Sequence, residues 1–281
     1  MIDIRRAALL FLCLLMVATS GCSGPVPAPT PPERERALSW NRRGLAAETR
    51  GDKNGAVLAF EESLRVNRSI EDFDGVAISL LNLARVHRQK GELAIARERI
   101  DEALRILSPD NPVFPESSFE KARIELSLNN LPQAREWAQK AVPAEKKPYS
   151  GRMQNLLSRI LFIEGKSGEA LLLAETALES NRESANRAEE ANSLRLIGDI
   201  ALAGGDPQNA QARYLAALSI DKDLAESKKI AQDLRSLGQA AQALGDTQAA
   251  KAFFERADQV SQSSGGETEP EVKAPERDSV K

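Results

Sequence analysis

The chain has 281 residues, with 38 Lys and Arg against 41 Asp and Glu and a formal net charge of −3. Hydrophobic residues make up 42 %, enough for a real core, while one His and two Cys leave little for metal sites or thiol chemistry. The near-neutral balance gives no electrostatic footprint for duplex nucleic acid, and the apolar content excludes a chain that is disordered throughout.

At the start of the chain, Arg5 and Arg6 precede an apolar run from Ala7 to Ala18. That run is far shorter than the about 20 residues a spanning helix needs, and it fits a secretory signal instead. It ends in Ala18-Thr19-Ser20-Gly21-Cys22, which resembles a bacterial lipoprotein signal. Ser20, Gly21 and Cys22 match that motif, and Thr19 stands where Leu is usual. The resemblance implies that residues 1–21 are removed and that Cys22 is lipidated. Ser23, rather than Asp, implies an outer-membrane anchor facing the periplasm in a Gram-negative cell. An ordinary signal peptide with an incidental Cys22 is the alternative. Residues 22–34 then form a tether. Its prolines Pro25, Pro27, Pro29, Pro31 and Pro32 favour extended polyproline II at about 3.1 Å per residue.

From residue 35 to 261 the sequence repeats. Gly51-Asp52, Gly91-Glu92, Gly205-Asp206 and Gly245-Asp246 each separate two stretches with helical spacing of apolar residues. Gly suits the left-handed position past a helix, and Asp suits the next N-cap. Asn129-Asn130 and Gly165 take the same place in two further hairpins. The spacing predicts helix pairs over 35–50 and 54–68, 73–90 and 93–107, 116–128 and 132–141, 150–164 and 167–180, 185–203 and 207–220, and 224–244 and 247–261. Pro109, Pro112 and Pro115, then Pro143 and Pro148, interrupt the pattern on either side of the third pair. Residues 262–281 carry no hydrophobic period and are expected to be disordered.

Aligning the turns exposes columns. Five residues past each turn stand Ala56, Ala96, Ala134, Ala170, Ala210 and Ala250. Four later come Phe60, Ile100, Ala138, Ala174, Tyr214 and Phe254, and seven before each turn come Gly44, Ala84, Ala122, Ser158, Gly198 and Gly238. Small residues let the helices of one hairpin approach, and the large residue is expected to plug the gap to the next hairpin. These columns resemble the tetratricopeptide repeat. The first repeat fits through Trp40, Gly44, Ala56 and Phe60, and the last two through Leu194, Gly198, Ala210, Tyr214 and Leu234, Gly238, Ala250, Phe254. The resemblance implies an all-α fold, an α-solenoid of about six helix–turn–helix repeats in a right-handed superhelix.

No catalytic constellation stands out. His87 has no partner nucleophile in the sequence, and its position favours packing. Gly165-Lys166-Ser167-Gly168 lacks the upstream Gly and strand of a phosphate loop and sits in a hairpin turn. Glu61-Glu62 and Glu189-Glu190 read as solvated helix faces. No metal site and no cofactor is expected.

In the family's register the first helix of each hairpin lines the concave groove. One groove column runs Arg85, Arg123 and Arg159, and Arg195 and Arg235 continue it one turn earlier. Arg88 and Arg152 lie nearby, with Asn41, Asn82, Asn155, Phe119 and Phe162. The planar donor fork of Arg suits carboxylates, so the column could grip an acidic or C-terminal peptide. Equally, these Arg residues could serve helix-surface pairs such as Arg195 with Asp199. The reading is of a non-enzymatic, lipid-anchored scaffold for envelope proteins, an assembly factor or pilotin, with no nucleic-acid partner. The alternative is a solenoid that binds a polysaccharide or small ligand in envelope polymer export.

Overall fold

The computed structural model describes residues 31–142 and 150–264. The signal, Cys22, most of the tether, Pro143, Pro148 and the tail from residue 265 lie outside these residues. Among the described residues there are twelve helices and no strand. They pair as α1 (Pro32–Thr49) with α2 (Lys53–Ser69), α3 (Phe73–Gln89) with α4 (Leu93–Ile106), and α5 (Phe114–Ser127) with α6 (Leu131–Ala141). The second half pairs α7 (Ser150–Ile163) with α8 (Ser167–Glu183), α9 (Arg187–Ala203) with α10 (Pro207–Asp223), and α11 (Ser227–Ala243) with α12 (Thr247–Ser263). This is the expected α-solenoid.

The hairpin turns form by local chemistry. At the first, Gly51 adopts φ 78°. The N–H of Asp52 donates to the Ala47 carbonyl, and the Asp52 side chain accepts from the Gly55 N–H at 2.9 Å. The left-handed residue thus ends one helix, and the Asp begins the next. The joints between repeats use the same three-residue turn, but their left-handed residues are Glu71, Ala185 and Ala225. No Gly marks them, so the boundaries expected at 185, 220 and 224 fell inside turns or short of helix ends. The helices run on to Glu183 and Asp223 and restart at Arg187 and Ser227. A side chain in the left-handed region is strained. Replacing Ala185 and Ala225 with Gly is therefore expected to raise stability by about 0.5 kcal/mol at each site. An unchanged or lower urea midpoint would count against this.

Two further boundaries moved. Pro32 opens α1, earlier than the expected 35, because Pro fits the first helical turn and Glu33 and Glu35 complement the helix N-terminus. At the other end α12 extends to Ser263 rather than 261.

The alanine column is fully buried or nearly so in all six hairpins. The large residues behave differently from expectation. Each aromatic ring lies on the glycine of its own hairpin rather than in the gap to the next. A Cβ on Gly44 would meet the Phe60 ring at 2.4 Å, and one on Gly198 would meet Tyr214 at 2.6 Å. Where the first position is Gly the second is aromatic (Gly44 with Phe60, Gly198 with Tyr214, Gly238 with Phe254), and where it is Ala or Ser the second is smaller: Ile100 after Ala84, Ala138 after Ala122 and Ala174 after Ser158. The match explains why the middle repeats lack the aromatic.

Successive first helices touch along the array (α1 with α3, α3 with α5, α5 with α7, α7 with α9, α9 with α11), whereas no second helix touches the next second helix. The first helices therefore line the inner, concave side. One buried apolar cluster spans repeats one and two, and the only buried residue of α5 in it is Ile124. Two more clusters cover repeats four to six. Between α4 and α5 the contact is charged: Lys121 of α5 reaches Asp101 of α4 at 2.5 Å, and Arg97 of α4 reaches Glu125 of α5 at 3.0 Å; within α5, Lys121 also pairs with Glu125 at 2.9 Å.

Candidate binding face on the concave side

The expected site residues divide into two groups. Those of repeats two to four converge. Arg85 and Arg88 on α3, Arg123 on α5 and Arg152 on α7 surround Glu116 and Glu120 of α5. Glu116 is held from both sides by Arg85 and Arg152. Glu120 is fully buried, with Arg88 at 2.6 Å and Arg123 at 3.7 Å. The Phe119 ring lies beneath two guanidiniums, Arg152 at 4.4 Å and Arg123 at 5.7 Å from its centre. Four cations thus face two anions. Burial holds the Arg123 guanidinium below its ordinary value, against the pull of Glu120, and the neighbouring Arg88, Arg152 and Arg85 push the same way. The cluster retains positive potential. Arg159, exposed on α7 seven residues beyond Arg152, has no charged partner among the described residues.

The second group corrects the expectation. Arg195 is not a groove residue: it is 4 % exposed. It donates through Nε to Asp233 of α11 at 2.6 Å and pairs with Asp221 of α10. Asp199, the partner considered for it in the sequence, accepts from the Tyr214 hydroxyl at 2.9 Å. Arg195 sits where α9, α10 and α11 meet, and two carboxylates draw it inward. Asn82 and Asn155 are likewise buried. Asn82 donates to Asn41 at 2.8 Å, joining α3 to α1. Asn155 accepts from Ser193 at 2.8 Å, joining α7 to α9. They are structural ties rather than open ligands. Phe119 is buried, and Phe162 packs against the cluster of repeats four and five. Arg235 stays partly open, with Ser261 at 2.9 Å and Asp258 at 3.7 Å.

Sequence reading missed Glu116, Glu120, Asp221 and Asp233. A carboxylate one repeat away from an Arg is the only signal that could have found them. His87 is buried, and its Nδ1 lies 2.6 Å from Glu92 Oε2, a packing role as expected. That contact holds the Glu92 carboxyl below its usual value. No helix among the described residues is long and apolar enough to cross a membrane.

The sequence pattern of the tetratricopeptide repeat matches residues 81–151 and again residues 189–263. Together the matches take in just over half of the chain. The chain belongs to the tetratricopeptide-repeat family. No curated protein matches the sequence. Among solved structures, the tetratricopeptide array is similar to the apo form of RapI, with a TM-score of 0.65, 14 % identity, and 92 % of this chain and 93 % of that one covered. It is similar to PilW, described as a widely conserved type IV pilus biogenesis factor, with a TM-score of 0.64, 16 % identity, and coverage of 80 % and 93 %. BtubC from P. vanneervenii gives 0.59, 20 % identity, and coverage of 88 % and 98 %. At such identities the likeness concerns the fold.

Proposed function

We propose that this tetratricopeptide protein is a non-enzymatic adaptor. Lipid at Cys22 holds it at the outer membrane, facing the periplasm, and its concave face takes an acidic segment of an envelope protein. The observation that carries the reading is the cluster of Arg85, Arg88, Arg123 and Arg152 around only two carboxylates, on the inner side of the array. An incoming carboxylate would find guanidinium forks already held in place by Glu116 and Glu120, so little side-chain freedom is lost on binding. Anchoring raises the effective concentration near membrane assemblies. The fold shared with PilW, a pilus biogenesis factor, supports an assembly role in the envelope. The polysaccharide alternative gains no support: Phe119 is covered by two Arg side chains, and Phe162 is partly buried against the apolar cluster of repeats four and five.

In-cell crosslinking and capture from membranes tests the reading. The wild type is compared with an Arg123→Glu, Arg152→Glu, Arg159→Glu variant of unchanged helical content. An envelope protein captured by the wild type should fall at least about ten-fold in the variant, the weight of one to two charge-assisted contacts. Equal capture by both would move binding off the concave face.

A further inference from the structure

Three repeat joints are tied by the same triad of positions. One residue comes from a first helix, one from the end of the paired second helix, and one from the next first helix. At the joint of repeats one and two, Asn67 donates to Ser79 at 3.2 Å, with Asn41 at the third position. At the joint of repeats four and five, Asn181 donates to Ser193 at 3.0 Å, and Ser193 donates to Asn155 at 2.8 Å. At the joint of repeats five and six the three positions hold Asp221, Asp233 and Arg195. The first two ties are neutral. The third has one cation for two carboxylates, and all three groups are buried.

A single guanidinium cannot neutralise two buried carboxylates, and the unbalanced charge is costly away from water. The Oδ2 of Asp233 is buried with no donor, while Asp233 lies within hydrogen-bonding reach of Asp221. A proton on Asp233 would convert that repulsive contact into a hydrogen bond. We infer that the joint between repeats five and six is a proton-operated clasp: one proton on Asp233, whose Oδ2 is buried without a donor beside Asp221, closes repeat six onto repeat five, and its loss loosens α11 and α12.

The surroundings reinforce the asymmetry. Burial pushes the Asp233 carboxyl up to about 7, against the opposing pull of Arg195, and Asp221 pushes it the same way. On α10, Tyr214 is also driven upward, by burial and by Asp199 of α9, so it stays a neutral phenol. From α12, Asp258 faces Arg235 of α11 at 3.7 Å. Among the described residues Arg195 is thus the one cation paired with either acid of the clasp. Because the native value is raised above that of a free Asp, the closed joint binds more protons than the open one. Its protection therefore grows as pH falls through about 7 and levels off near the ordinary Asp value.

Hydrogen exchange of the whole chain tests the inference, read at pH 8 and pH 6 and corrected for intrinsic rates. Amides of α11 and α12 should gain about ten-fold protection at pH 6, the factor one proton of that affinity gives, while α1 to α4 stay constant. A triple substitution to the neutral tie of repeat four, Arg195→Asn, Asp221→Asn and Asp233→Ser, should remove the difference. Asp233→Asn alone, which mimics the protonated acid, should show the pH 6 protection at both values. A wild-type gain spread evenly over the array overturns the inference. So does an Asp233→Asn variant as labile as the wild type at pH 8.

Discussion

Alanine at Gly44 should destabilise the first hairpin by about 2 kcal/mol or more, although alanine is the better helix former. Helix propensity alone favours the change by about 1 kcal/mol. Against this, the new Cβ would lie 2.4–2.7 Å from three carbons of the Phe60 ring. That ring is completely buried, so it has no solvent side to retreat to. Forcing extra volume into such a site costs typically about 1–3 kcal/mol, and these distances place it at or above the top of that range. The second repeat already carries the remedy, since the same two positions hold Ala84 and Ile100, both fully buried in one cluster. Adding Phe60→Ile to Gly44→Ala should recover at least about 1 kcal/mol, and a double-mutant cycle should report a favourable coupling. A Gly44→Ala protein more stable than the wild type in urea would contradict the volume match between the two columns.

Replacing Arg195 with Leu has the larger expected effect. The substitution leaves Asp221 and Asp233 facing each other in a buried site with no counter-charge. Removing one partner of a buried pair typically costs about 3–5 kcal/mol. The loss should shrink as pH falls, because an acid left without its cation protonates more readily and the proton removes the repulsion. Arg159→Leu is the control, since Arg159 is exposed and without a charged partner, and it should change stability by less than about 0.5 kcal/mol. Urea unfolding at pH 8 and pH 5.5 measures both. Similar losses for the two variants, or a loss at Arg195 that does not depend on pH, would rule out the role assigned to that node.

What was legible in the sequence follows from the range of the interactions involved. The turns at Gly51, Gly91, Gly205 and Gly245 are written in two adjacent residues, because a left-handed backbone and an N-cap are local needs. The alanine column was legible because each hairpin poses the same packing problem at the same step. The joints at Ala185 and Ala225 left no such mark: tertiary packing of the flanking helices imposes the left-handed conformation on residues that do not prefer it. The candidate site was legible only in part. Helical register put the Arg residues on the first helices, and those helices do line the inner side. Register is blind to partners. Whether an Arg faces solvent or a carboxylate depends on a residue of another helix: Glu116 for Arg85 and Arg152, Asp221 and Asp233 for Arg195. The family pattern does not specify those positions, so Arg123 and Arg195 looked alike in sequence and differ completely in the fold.

The charged seam between α4 and α5 has a mechanical consequence. A solenoid carries tension from one repeat to the next, and each joint bears the whole load because repeats touch only their neighbours. Repeats one and two share one apolar cluster, and the last three repeats are bound by two more. The seam at Lys121, Glu125 and Arg97 has only Ile124 as a buried apolar bond from α5 to that first cluster. The crossings here are ion pairs, Arg97 with Glu125, Lys121 with Asp101, Arg85 with Glu116 and Arg88 with Glu120, so this joint's resistance to a pull depends on salt where an apolar joint's does not. Parting there would separate Arg85 and Arg88 from Glu116 and Glu120 and so open the concave cluster, while the apolar clusters on either side stay whole.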